Sequence, residues 1–165
     1  MTAMIPPAVL APSSVKDRSR RGAEKFFQTG QQQMRAGRWA DAATAFERAA
    51  KASPDDAVIW LSLAQSRRKA GRLATAIEAA QRARALDPGL VVATRLEAAC
   101  LSEQHRYEEA AALLGDLPIS KDDDHELHFA RGYALLQQLR AQEAVAPLMD
   151  ALARKPDHAG SHVQL

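Results

Sequence analysis

Two histidine pairs stand at spacings that suit a metal ion. His125 and His128 are three residues apart, and His158 and His162 are four apart; either spacing puts two imidazoles on one face of a helix. A zinc site needs further donors, usually cysteine or carboxylate. No cysteine lies near either pair; the acids beside the first, Asp122 to Asp124 and Glu126, and Asp157 beside the second stand at unit boundaries where loop and cap residues are expected, so no metal site is expected. Asp122, Asp123 and Asp124 match a calcium loop in charge but lack its alternating ligands and its glycine. They are better suited to capping a helix. A catalytic thiol needs a basic partner, and Cys100, the only cysteine, has His105 as its one close histidine in sequence. There is no glycine-rich phosphate loop and no nucleophile elbow. The chain reads as a non-enzyme, with no catalytic residue and no cofactor.

The elements around these residues are foreshadowed by composition. The 165 residues fit one domain or a short repeat array. They are 47% hydrophobic but only 5% aromatic, with alanine dominating the apolar count. Alanine is the best helix former and lets helices approach closely, so an all-α fold is expected. With 22 basic and 20 acidic residues spread along the chain, there is no concentrated basic face for nucleic acid. No apolar run approaches the roughly 20 residues that span a bilayer. The stretch MTAMIPPAVLAPSSV is interrupted by prolines and lacks leading basic residues, unlike an export signal. Residues 1–21 are expected to form a flexible tail, basic near its end at Lys16, Arg18, Arg20 and Arg21, and the cytoplasm is the default location.

A period of 34 residues runs through the rest. Pro54, Pro88 and Pro156 stand one and then two periods apart, with Asp122 where the missing proline would fall. Ala42, Ala76, Ala110 and Ala144 make an unbroken series, and Arg38, Arg72, Arg106 and Arg140 make another. Each unit reads as two helices: in the first, Gly37 closes one helix and the next runs from about Trp39 to the residues before Pro54. Gly71 repeats the stop, and Asp55 or Asp56 can cap the helix after Pro54.

These units resemble tetratricopeptide repeats. Unit two carries Trp60, Leu63, Ala64, Ala76, Ala83 and Pro88 where that family has its signature residues. Unit one carries Phe26, Gly30, Ala42, Phe46, Ala49 and Pro54, and unit four Gly132, Leu135, Ala144, Leu148, Ala151 and Pro156. Unit three departs, because Pro118 cuts its second helix short. The resemblance implies a right-handed α-solenoid of stacked antiparallel helix hairpins over residues 22–165. The units fall at about 23–56, 57–90, 91–124 and 125–158, with a partial fifth at 159–165. That partial unit suggests a fragment of a longer protein.

In arrays of that family, the outward face of each first helix lines a concave groove. Residues spaced i, i+3, i+7, i+10 share that face. Here they select Phe27, Gln31 and Met34 in unit one, and Val58, Leu61, Gln65 and Arg68 in unit two. Arg95 represents unit three, beside Val92, Ala99 and Ser102, and Phe129, Tyr133 and Leu136 represent unit four. The carboxylate clamp by which some members grip acidic C-termini is absent, since Phe27, Gln31, Ser62, Val92 and Leu96 occupy its places. A protein or peptide partner read by apolar anchors and by glutamine and arginine hydrogen bonds fits better. No nucleic acid or membrane partner is expected. Two other readings stand beside this one. The chain could be the repeat segment of a larger glycosyl-, sulfo- or methyltransferase that positions its substrate protein. It could also self-assemble, as a homodimer through the open C-terminal end.

Overall fold

The computed structural model describes residues 15–115, 117 and 125–154, and among them finds eight helices and no strand. They are α1 (Val15–Arg35), α2 (Trp39–Ala52), α3 (Ala57–Lys69), α4 (Leu73–Leu86), α5 (Val91–Glu103), α6 (Tyr107–Gly115), α7 (His125–Gln137) and α8 (Ala141–Arg154). Starts recur every 34 residues, at Ala57, Val91 and His125 for one series and at Trp39, Leu73, Tyr107 and Ala141 for the other. The expected tail is corrected at its end. Helix α1 already begins at Val15, so the stretch with Lys16, Arg18, Arg20 and Arg21 is helical. Lysine and arginine are good helix formers, and Ala23 is buried against Ala49, Ala50 and Ile59, which anchors the extension.

Each helix packs on its neighbour in the chain, α1 on α2 through to α7 on α8. First helices also touch first helices, α3 with α5 and α5 with α7. Sustained contact between α2, α4, α6 and α8 is absent among the described residues. The first helices therefore share an inner face, and the second helices form an outer row. This is the right-handed α-solenoid of helix hairpins.

Within a hairpin, a small residue on the first helix meets a large one on the second. A Cβ added at Gly30 would lie 2.6 Å from the Phe46 ring, and one at Gly132 would lie 2.6 Å from Leu148 Cγ. Both partners are fully buried, Phe46 at 0% and Leu148 at 1% exposure. The alanine series supplies the same closeness from the other side, with Ala42, Ala76, Ala110 and Ala144 all at 0%.

The turn between paired helices follows one plan four times. Gly37, Gly71, His105 and Leu139 each adopt a left-handed backbone, with φ of 71°, 75°, 61° and 58°. At each, two hydrogen bonds reach back into the helix: Gly37 N–H donates to Met34 O (3.0 Å) and Arg38 N–H to Gln33 O (2.9 Å). Equivalent bonds run from Gly71 and Arg72, His105 and Arg106, and Leu139 and Arg140. This pattern satisfies the last carbonyls of the helix. The periodic arginines begin the second helices, and in two of them the side chain clasps a glutamate one turn on. Arg106 Nε lies 2.7 Å from Glu109 Oε1, and Arg140 Nε 2.8 Å from Glu143 Oε1. Those side-chain hydrogen bonds hold both carboxyls below their usual range.

Hairpins are joined to one another by polar contacts of matching precision. Asp56 caps α3, accepting from Val58 N–H (2.9 Å) and Ile59 N–H (3.3 Å). Trp60 Nε1 donates to Pro54 O at 2.8 Å, tying α3 to the turn before it. Glu97 on α5 is buried, and its carboxylate accepts from Gln81 Nε2 (2.8 Å) and Arg84 Nε (3.1 Å) on α4. Helix α6 ends at Gly115, ahead of Pro118. Arg131 of α7 donates to the carbonyls of Leu114 and Leu117 (the latter at 3.3 Å), satisfying the shortened end.

The hairpin seam yields a test. Gly30→Ala gains helix propensity of up to about 1 kcal/mol, but drives a methyl into Phe46, and overpacking costs about 1–3 kcal/mol. Urea unfolding should show net destabilisation, and adding Phe46→Leu in that background should recover much of the loss.

Candidate partner-binding groove

The inner face is built from residues of four helices, and some of them, Met34 and Phe129 included, also pack on the main core. Met34 lies in the last turn of α1, Gln65 and Arg68 sit on α3, Arg95 on α5, and Phe129 and Tyr133 on α7. These six surround one hollow of about 680 Å³. Its walls are apolar where Val92, Leu96 and Ala99 of α5 meet the tilted Phe129–Tyr133 pair, whose ring centroids are 6.0 Å apart. Val92 is 38% exposed, as is Val58 one period earlier at 53%. Across the hollow, Arg68 Nε on α3 meets Glu103 Oε1 on α5 at 2.7 Å.

The remaining residues expected on this face divide. Phe27 and Val58 line a separate hollow of about 660 Å³ near the start of α3, beside Glu24 and Asp55. Phe27 also has structural duties, packing on Phe46 at 5.4 Å between ring centroids. Leu61 and Leu136 are partly buried and packed on the main core, and Gln31 is exposed outside both hollows. Helical spacing alone could not separate groove residues from those that lean onto a neighbouring helix. It also missed Trp39, Lys69 and Glu103, which line the central hollow. Trp39 opens α2, outside a stripe that runs along first helices only. Lys69 and Glu103 sit at the ends of α3 and α5, one residue past the last position of the pattern.

Sequence signatures described as tetratricopeptide repeat match residues 27–91 and, overlapping them, 67–139. The chain belongs to the tetratricopeptide repeat family. Solved structures agree. The YrrB structure, described as a TPR protein with an unusual peptide-binding site, is 19% identical with a TM-score of 0.77 over 89% of this chain and 75% of its own. MamA from Desulfovibrio magneticus RS-1, residue 41 to its end, is 16% identical with a TM-score of 0.79, over 86% of this chain and 80% of that one. MamA AMB-1 is 22% identical with a TM-score of 0.74, over 90% and 85%. At these identities the likeness is one of fold. No curated protein is significantly similar in sequence to the chain.

His128 and Cys100 take structural places in the repeat array. His128 is buried at 2% exposure, with Nδ1 3.7 Å from Asp150 Oδ2 of α8, inside the α7–α8 hairpin. The His125 side chain lies outside the described residues, as do His158, His162 and Asp122 to Asp124. Among the described residues, no three potential metal ligands cluster, and no helix is long and apolar enough to cross a membrane. Cys100 is fully buried in the main core, while His105 is exposed in the α5–α6 turn with a backbone role. Burial pushes the Cys100 thiol up from an ordinary 9.0 to about 11, the opposite of what a reactive thiolate needs.

That shift has a sign in stability. The folded chain holds the thiol proton more tightly than the unfolded chain, so the contribution is complete below about pH 9. It is lost as pH rises toward 11. Between those values wild type should lose stability relative to Cys100→Ala in denaturant titrations. At pH 8 the native thiol should resist an aromatic disulfide reagent that labels the unfolded chain at once.

Proposed function

We propose that the chain is a protein–protein interaction module that takes a partner peptide or helix in the groove floored by α3, α5 and α7. An array of stacked hairpins is a scaffold by construction, since its inner face is extended. The observation that carries the reading is the meeting of Met34, Gln65, Arg68, Arg95, Phe129 and Tyr133, from four helices, around one hollow. An apolar wall with a few convergent polar groups is the usual make-up of a recognition site. Aromatic and arginine side chains are the residue types that dominate binding energy at interfaces. The central hollow has room for a few side chains of a partner, which suits a short anchor segment rather than a broad flat contact.

A partner isolated on the wild-type chain should bind a Val92→Ala, Tyr133→Ala variant at least roughly tenfold more weakly by isothermal titration, about 1.4 kcal/mol. Glu78→Ala, exposed on α4, should leave affinity unchanged. Equal affinity for wild type and the groove variant, with circular dichroism unaltered, would count against the groove.

Self-assembly is a second reading, favoured by α8. Val145 and Met149, one turn apart, are 49% and 54% exposed. Ala43, Ile77 and Ala111, the residues one to three periods before Val145, are all buried. Sedimentation velocity of wild type should then show concentration-dependent association that Val145→Lys abolishes. A monomer at every concentration removes this reading.

A further inference from the structure

We propose that the segment held in the central hollow is acidic: an apolar-anchored stretch of protein whose side-chain carboxylates lie over Lys69 and Arg68. This inference deepens the reading of the groove and rests on it. Charge complementarity carries it. The chain as a whole is nearly neutral at +2, yet Arg68 and Lys69 line this hollow against the single carboxylate of Glu103. The local excess is positive and sits beside apolar walls, where a paired charge is screened less than in open water.

Glu103 then takes on a second role. It lies on the far wall, and its carboxylate already occupies Arg68 at 2.7 Å. Both side chains are partly open to solvent, Arg68 at 34% and Glu103 at 44%, so the pair can be exchanged. A partner carboxylate arriving at Arg68 competes with Glu103, which acts as an internal stand-in for the ligand and lowers its affinity. Lys69, exposed one residue on, is the cation that first attracts such a segment. The other hollow, beside Phe27 and Val58, carries Glu24, Asp55 and Asp56 against one cation, Arg20. That opposite sign keeps the acidic end of a bound segment over α3 and α5 ends rather than at the start of α3.

The test is selection of a phage-displayed library of 12-residue peptides on the full chain. The displayed peptides are fused at their C-termini, so a terminal carboxylate cannot act in place of side chains. The expected winners carry Asp or Glu within a few positions of an aromatic or branched aliphatic residue. Synthesised as amidated peptides, they should bind roughly tenfold more weakly to Lys69→Glu and weaken as salt rises. They should bind several-fold more tightly to Glu103→Gln. Neutral or basic winners that still lose binding to the Val92→Ala, Tyr133→Ala variant would overturn the charge inference and leave the groove standing. So would acidic winners indifferent to both Lys69→Glu and Glu103→Gln. Winners that bind that groove variant as well as wild type, or no enrichment at all, would overturn both readings.

Discussion

Everything on the inner face depends on how closely two helices of a hairpin approach. Gly30 and Gly132 have no side chain because Phe46 and Leu148 stand where one would be. A hairpin drawn this tight buries its seam completely with small residues, so the large side chains of the first helix are not all needed for the core. On the other side Val92 and Tyr133 line the hollow, and Phe129 both lines it and packs on the core. The groove is thus a by-product of close packing: economy inside the hairpin releases apolar surface outside it.

Register between hairpins is set by polar groups. The repeated left-handed turn fixes the angle at which each second helix returns, using glycine at 37 and 71 and accepting strain at His105 and Leu139. Between hairpins, the buried Glu97 holds α5 to α4 through Gln81 and Arg84. An incorrectly stacked hairpin would leave that carboxylate buried without donors, a penalty of about 1–3 kcal/mol or more for a charged group. The contact specifies one arrangement of α4 and α5, and hence where Arg68 and Glu103 face each other.

Much of this was legible in the sequence because a repeat multiplies weak signals. One alanine means little, but Ala42, Ala76, Ala110 and Ala144 at equal intervals locate a seam, and Gly37 and Gly71 locate its turns. Repetition also explains what was missed. His105 and Leu139 break the glycine series, so the shared turn was visible only through backbone angles. Glu97 gave no signal, since a carboxylate on a helix normally reads as solvated and its donors come from another helix. Pro147 lies inside α8, which nonetheless runs from Ala141 to Arg154, against the propensity rule. Among the groove residues, a stripe drawn by spacing cannot tell Tyr133, which lines the hollow, from Leu61, which leans on the core. That distinction depends on the neighbouring helix, and sequence spacing describes one helix at a time.

The central claim is that the inner face, and not the outer row of helices, meets the partner. Site-specific photocrosslinking reads this directly, with p-benzoylphenylalanine placed at Gln65 in the groove or at Glu78 on α4 and irradiated in the source cell. The account predicts a discrete adduct from position 65 and none from position 78. Adducts from 78 alone, or equally from both, would contradict it.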